Sequence, residues 1–430
     1  MSTEERYRRR SRYYVLVLLS AGYALNLLDR QIVGILLEPI RREFSAPDVI
    51  LGLLVGPTFA AFYATLGMPI AWLADRFNRR NIIAASLALF SLMTAASGLA
   101  VHFWQLLLAR VVTGVGEAGA GPASQSIISD MFAPKERAWA QSLYAAGSCV
   151  GVMVAFLCGG WIAEYHGWRT AFLVAGAPGL VLAALLAVTI GEPRRGAEVV
   201  CADRVHVPPF AQTVRFLWSQ RSFRFIVLGA SMSAFTTYSV MAFVPAFLAR
   251  SHEMRGSEIG LVLAIILGFG GFVGTALPGY LADRLSARDA RWNVYVPAIA
   301  SGISLPFWLV FFLAHSKALA IGAAVVPLSL TTAWLGPCYA MAQSLVPVRM
   351  RATASSIVLF VCNSIGLGLG PLIVGAASDL LRPIVGSDSL RYALMASIVA
   401  TLLAVIFYYL AAEKLRLDLV RAAEAGGSAA

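Results

Sequence analysis

Apolar runs of about 20 residues, closed by charges or turn formers, recur twelve times in this chain. That pattern constrains the fold more than any single motif. At about 1.5 Å per helical residue each run is long enough to cross a bilayer. The runs cover approximately residues 13–37, 49–74, 81–100, 103–130, 138–163, 170–190, 224–249, 257–282, 292–314, 318–345, 353–380 and 390–412. Backbone polar groups in hydrocarbon must be satisfied within their own segment, so an all-α membrane protein of twelve transmembrane helices is expected. Composition agrees: 13% of the residues are charged and 59% hydrophobic, where soluble domains carry about a quarter charged residues.

A polar segment divides the runs into two sets of six. Glu192-Pro193-Arg194-Arg195-Gly196 stops a helix, and Pro208-Pro209 precedes Phe210 to Arg224, where apolar and basic residues mix as in a short interfacial helix. The expected organisation is a six-helix bundle over 1–190, a linker over 191–223, a second six-helix bundle over 224–413 and a disordered tail over 414–430 that ends in Gly426 to Ala430. Ala71-Trp72-Leu73-Ala74-Asp75-Arg76 returns half a chain later as Gly279-Tyr280-Leu281-Ala282-Asp283-Arg284. Pro134 and Arg137 before Ala138 to Gly160 are echoed by Pro347 and Arg351 before Ala352 to Gly375. The bundles are therefore pseudo-symmetric, as in carriers whose halves rock about a shared site.

The net charge of +11 raises the question of a nucleic-acid partner. The bases fall in short connections rather than in a stripe interleaved with aromatics, so none is expected. They are also unevenly divided. Alternate connections hold Arg8, Arg9, Arg10, Arg12, Arg76, Arg79, Arg80, Lys135, Arg137 and the middle-segment arginines, against a sparse set including Arg41, Arg42, Arg169, Arg250, Lys317 and Arg382. By the positive-inside rule both termini are cytoplasmic. The basic Met1 to Arg12 leads into an apolar run too long for a signal peptide, which reads as a retained first span. Lysine is confined to Lys135, Lys317 and Lys414, and alanine is abundant. That bias suggests a GC-rich bacterial genome and so the inner (cell) membrane of a bacterium.

Charges inside the spans carry the chemistry. Asp29 and Arg30 stand side by side in Leu25 to Gln31, and intramembrane ionisable residues mark an ion or substrate pathway by default. A mutual packing clasp between the two is the plainer alternative. Arg110 and Glu117, seven residues apart, lie within about 20° on one helical face and about 10 Å apart along it. Counted from the external ends, Asp29 lies about 12 Å below Leu37 and Arg110 about 10 Å below Phe103, so an Asp29 to Arg110 contact is expected, with Glu117 deeper. No comparable charge interrupts the second six runs. Gly114, Gly116 and Gly119 spell G-x-G-x-x-G, but inside an apolar helix rather than at a strand-to-helix turn, so they read as surfaces for close packing.

Leu73-Ala74-Asp75-Arg76-Phe77-Asn78-Arg79-Arg80 resembles the cytoplasmic signature of the major facilitator superfamily, with Ala71 and Asn78 where that family usually has Gly. Arg110 to Ala118 resembles its fourth-helix motif, and Trp168-Arg169 with Phe172 a recurring architectural element between the fifth and sixth helices. Together with Asn26-Leu27-Leu28-Asp29-Arg30, the set is similar to the spinster branch over essentially the whole chain, although its specific residues lie in the first half. The resemblance implies the major facilitator fold and a proton-linked carrier of amphipathic lipids, in a family that exports sphingosine-1-phosphate and carries lysophospholipids. It implies that Asp29, Arg30, Arg110 and Glu117 form a charged cavity cluster. It also implies that Asp75, Arg76, Arg79 and Arg80, with Asp283 and Arg284 in the repeat, form a cytoplasmic gate.

Burial and a neighbouring guanidinium act oppositely on carboxylate protonation, so an Asp29 that exchanges water for Arg110 can change its proton as a cavity opens. The expected roles are proton coupling by Asp29 and Glu117, and a polar site at Asn26, Arg30 and Arg110 suited to an anionic headgroup. Arg30 either binds substrate or tunes Asp29. Phe235, Tyr238, Met241, Trp334 and Tyr339 are expected to hold a hydrocarbon tail, with Gln343 and Asn363 as polar cavity residues. Gly366, Gly368, Gly370 and Pro371 would let the eleventh span bend or pack closely. The five cysteines are scattered without C-x-x-C, and no hydrolase or zinc-protease motif surrounds the five histidines. The reading is a monomeric transporter, not an enzyme, with no metal or cofactor. It works by alternating access on protons and an amphipathic lipid, with a proton-driven drug or organic-anion exporter as the alternative.

Overall fold

The computed structural model describes residues 3–191, 210–347 and 350–427. Among these residues the chain forms seventeen α-helices and no strand. In the first half they are α1 (Thr3–Phe44), α2 (Asp48–Val55), α3 (Pro57–Arg76), α4 (Arg79–Ser97), α5 (Phe103–Met131) and α6 (Pro134–Thr189). The second half holds α7 (Phe210–Ser219), α8 (Arg221–Ser251), α9 (Gly256–Leu263), α10 (Gly271–Ser286), α11 (Trp292–Leu313), α12 (Lys317–Leu330) and α13 (Leu335–Ser344). It closes with α14 (Arg351–Cys362), α15 (Gly370–Val385), α16 (Ser389–Leu394) and α17 (Ala396–Gly427).

The twelve-span, all-α reading holds, with breaks inside several spans. The second span is divided at Gly56, the eighth passes through a π-helical turn at Ala264–Gly270, and the eleventh through another at Asn363–Leu369. The bend expected from the glycines of the eleventh span takes that wide-turn form. Among the described residues eight stretches are long and apolar enough to cross a membrane, and two of them, Trp139–Thr189 and Thr353–Ala422, hold two spans each. The fourth run falls outside that count because Arg110, Glu117 and their small neighbours dilute its apolar character. The fifth and sixth spans form one assigned helix, bent at Gly167, whose φ of 83° places it in the left-handed region. A side chain there would be strained, so a single glycine does the work of the expected connection.

The chain divides into two compact units, Met1–Cys201 with Glu253–Gly268, and Ala202–His252 with Phe269–Ala430. The eighth span is thus shared, with α9 in the first unit. That unit packs Leu16, Leu19, Leu87, Phe90, Ile127, Tyr144 and Leu186 into one core. Its closest seam joins α1 to α6: a Cβ at Gly147 would run into the Ser20 carbonyl, and one at Gly151 into the Ala24 carbonyl. Small residues four apart on both helices let the backbones approach. On the other flank of α6, the Glu164 carboxylate accepts the Ser257 N–H at 2.8 Å, an anion at the positive end of α9.

The second unit buries Phe223, Ile226, Trp334, Met341, Val358 and Tyr408. Two expectations are corrected there. The interfacial helix stops at Ser219, because Gln220 leaves helical geometry and donates its side-chain amide to the Leu345 carbonyl at 2.9 Å. The tail does not start as irregular chain: α17 continues to Gly427, with Leu415 buried and Asp418 only 2% exposed. Asp418 Oδ2 accepts the Ser222 N–H at 3.0 Å, anchoring the tail helix to the start of α8. Asp418→Ala, which leaves that N–H without its acceptor, is expected to lower stability by about 1 kcal/mol, read as a lower thermal unfolding midpoint in detergent. Cys201 and most of the 191–223 linker lie outside the described residues, whereas Cys149, Cys158, Cys338 and Cys362 are free thiols.

Candidate functional site: a buried charge quartet

Consecutive helical residues point about 100° apart, so Asp29 and Arg30 face different partners. Both partners lie on α5. Arg110 Nη1 donates to Asp29 Oδ2 at 2.6 Å, as the matched depths predict, and Arg30 Nε donates to Glu117 Oε2 at 2.6 Å. Asp29 and Glu117 are 2% exposed and Arg110 4%. The Asp29 to Arg30 clasp is therefore replaced by two parallel bridges between α1 and α5. The Thr94 hydroxyl on α4 lies against Asp29 Oδ1 and, at 2.8 Å, the Phe90 carbonyl, so its one hydrogen serves either acceptor.

Helix α3 adds an aromatic wall. Phe59 and Tyr63, four residues apart, stack with centroids 5.4 Å apart. The Arg30 guanidinium carbon lies 4.8 Å from the Phe59 centroid and 4.4 Å from that of Tyr63, and that of Arg110 lies 5.3 Å from Phe59. These are cation–π distances, strengthened where water is excluded. The backbones come close enough for this because α5 carries glycines: a Cβ at Gly114 would lie 2.9 Å from the Phe59 carbonyl oxygen, and one at Gly116 2.9 Å from the Phe90 nitrogen. The G-x-G-x-x-G string is a packing surface.

The quartet is incompletely satisfied. Glu117 Oε1 and Arg110 Nε are enclosed without a hydrogen-bond partner. Glu117 also lines a cavity of about 40 Å³ with Tyr23, Asn26, Tyr63, Ser124 and Tyr144, space enough for a water. Tyr23 and Tyr144 stack above it with centroids 4.8 Å apart, and Asn26 is 6% exposed. One carboxylate oxygen is thus held by a cation while the other is enclosed without a partner, in a residue that lines a mixed polar and apolar cavity. Such an acid can accept a proton or a donor group without first breaking its bridge.

Other expected site residues are spread more widely. Buried Arg79 donates from Nη1 to Asp130 Oδ2 at 2.6 Å and Ser126 Oγ at 2.9 Å, a clasp between α4 and the end of α5. Arg80 reaches the Ile190 carbonyl at 3.1 Å. Arg76 is exposed, and the side chain of Asp75 lies outside the described residues. Asp283 and Arg284 are exposed, with Arg284 Nη1 donating to the Tyr280 hydroxyl at 2.8 Å. In the second unit the Tyr238 hydroxyl donates to Asn363 Oδ1 at 3.3 Å. Phe235 is buried, and Met241 and Tyr339 are partly so. Trp334 belongs to the core and borders a cavity of about 20 Å³ rich in Ser and Thr. Gln343 is exposed and bonds Ser355 at 2.9 Å. Sequence reasoning missed Thr94, Phe59, Tyr63, Tyr23 and Tyr144. The i, i+4 spacing of Phe59 and Tyr63 was the available signal for a shared face; Thr94 had none.

Residues 19–371 match the family model of the Major Facilitator Superfamily, and the chain belongs to that superfamily of transporters. An MFS-type efflux pump of Mycolicibacterium smegmatis is 32% identical over 400 residues, 93% of this chain and 92% of that protein. The sphingosine-1-phosphate transporter SPNS2 of Xenopus tropicalis is 26% identical over 391 residues, 87% of this chain and 75% of its own length. The crystal structure of a bacterial homologue of the human lysosomal transporter Spinster, inward-facing and unoccupied, superposes with a TM-score of 0.86 at 32% identity, covering 95% of this chain and 98% of that one. The chain is spinster-like within the superfamily.

Proposed function

We propose that this chain is a proton-coupled secondary transporter that moves amphipathic lipids, such as a lysophospholipid or a sphingoid phosphate, by alternating access. The observation that carries the reading is Glu117, with one oxygen on Arg30, the other enclosed without a partner, and a small cavity lined by the same residue. A proton on Glu117 removes its negative charge and leaves Arg30 with an unmatched cation, the group an anionic headgroup seeks. A proton on Asp29 acts likewise on Arg110, with Thr94 as a polar neighbour. Asn26 borders the same cavity. Phe235, Tyr238, Met241, Trp334 and Tyr339 hold the hydrocarbon part in this reading, with Gln343 and Asn363 as polar cavity residues. Asp75, Arg76, Arg79, Arg80, Asp283 and Arg284 form the cytoplasmic gate, with both termini cytoplasmic and a monomer in a bacterial cell membrane as the working unit. The SPNS2 relative supports a lipid cargo. The mycobacterial relative is named as an efflux pump and favours a second reading, a proton-driven drug or organic-anion exporter.

The test is uptake by purified protein in proteoliposomes. Lysolipid and sphingoid phosphates are offered with and without a pH gradient to wild type, Asp29→Asn and Glu117→Gln. The gradient is expected to stimulate wild-type uptake and to leave Glu117→Gln unstimulated. Fully pH-coupled transport in both variants would remove the proton assignment. Transport of cationic drugs, without competition by lipid, would select the exporter.

A further inference from the structure

A second set of cations gathers in the second unit, where α8 ends. His252 follows Ser251 there and interacts electrostatically with Arg391 at the start of α16 and with His315 and Lys317 at the start of α12. Phe247 ties two of them together: the His252 ring meets it edge-on at 5.4 Å, and the Arg391 guanidinium carbon lies 6.0 Å from its centroid. Arg391 is only 9% exposed. Its nearest recorded carboxylate oxygen, Asp388 Oδ1, is 3.6 Å from Nη1, too long for a good hydrogen bond. Arg391 Nε and His252 Nε2 are both enclosed, and neither has a hydrogen-bond partner. Ser316 makes no side-chain cap at the head of the 14-residue α12, so the positive end of that helix adds to the field.

We infer that this end of the second unit binds a phosphate group through Arg391 Nε and His252 Nε2, with Lys317 and the head of α12 supplying the surrounding positive field. A buried guanidinium matched to an oxyanion forms strong, charge-assisted bonds, and two enclosed donors without acceptors are what such a ligand would satisfy. The carboxylates nearest Arg391 and His252 in sequence are exposed. Asp388 has a side chain 44% exposed, and Glu253, next to His252 in sequence, is exposed; Arg250, in the last turn of α8, adds to the positive side. Burial, then Arg391, Lys317 and His315, hold the His252 imidazole below the ordinary histidine range, so it is neutral near pH 7. A bound phosphate reverses that field and favours imidazolium. Binding therefore takes up a proton and strengthens as the pH falls. The phosphate has two possible sources, a lipid headgroup or the free ion, and both present the same chemistry to the site.

The full chain in maltoside micelles, with its histidines carrying ¹³C at Cε1, tests this. Five resonances are expected from the five histidines, and His252→Gln identifies the one that matters. The pH titration of His252 is compared in sodium chloride, in sodium phosphate of equal ionic strength, and in chloride with phosphatidylglycerol added to the micelles. The His252 pKa is expected to rise by about one unit in the phosphate arm, the lipid arm or both, which identifies the source. For a phosphodiester headgroup, whose charge is fixed in this range, a one-unit rise means by linkage about tenfold tighter binding at the acid limit than at the alkaline one. Arg391→Gln is expected to abolish the rise. Arg391→Lys keeps the charge but lacks Nε, and is expected to weaken the rise. An identical pKa in all three media, or an undiminished rise in both Arg391 variants, would overturn the site.

Discussion

Arg110→Gln is expected to lower stability by about 3–5 kcal/mol, the range found when one partner of a buried ion pair is removed. Asp29 is 2% exposed, and without Arg110 its one remaining side-chain partner among the described residues would be the Thr94 hydroxyl. The cost comes from the carboxylate left behind rather than from the lost bond. Adding Asp29→Asn should therefore restore most of the stability, because neighbours that share one interaction are not additive. Thermal unfolding of both variants in one detergent makes the comparison, and equal losses in the single and double variants would show that the bridge is not the source. Exchanging the residues, Asp29→Arg with Arg110→Asp, should rescue partially, since the charges still meet but the reach of each side chain is reversed.

The second large effect is steric. Gly151→Leu is expected to cost about 3 kcal/mol or more and to lower the yield of folded protein, because a Cβ there would collide with the Ala24 carbonyl, a backbone atom that no rotamer can move. Gly22→Ala is the control on the neighbouring helix: nothing lies within 4 Å of a Cβ at Gly22, so little change is expected. If both variants unfold at the wild-type midpoint, the α1 to α6 seam is looser than its backbone spacing indicates.

Much of the fold was legible because a bilayer imposes one requirement, a long apolar helix, that twelve runs visibly meet. Most breaks within them were not. The interruption at Gly56 and the π turn at Ala264–Gly270 break backbone bonding without interrupting hydropathy; at Asn363–Leu369 the glycines Gly366, Gly368 and Gly370 did point to a bend, though not to its π form. The helical tail is not legible because residues 414–430 are polar in composition, whereas Asp418 is held by the Ser222 N–H, nearly two hundred residues away. In the site, the Asp29 to Arg110 bridge followed from depth, a quantity that rise per residue supplies. The Arg30 to Glu117 bridge did not. Glu117 lies two turns beyond Arg110, and the long Arg30 side chain, within cation–π distance of Phe59 and Tyr63, spans the offset. Neutral groups such as Thr94 left no trace, since nothing in an apolar run distinguishes a hydroxyl on a carboxylate from one on its own backbone.

Asp29, Arg30, Arg110 and Glu117 have an electrical consequence. With all four ionised their charges sum to zero, so a membrane voltage exerts no net force on the group as a whole. Each proton added leaves one positive charge, and carrying that charge across the full field is worth about 2.3 kcal/mol per 100 mV. Under the proposed coupling, the current that accompanies each cargo molecule reports the protonation of these four residues together with the charge of the cargo, and a reversal potential measures a property of the buried quartet that no chemical assay of uptake would reveal.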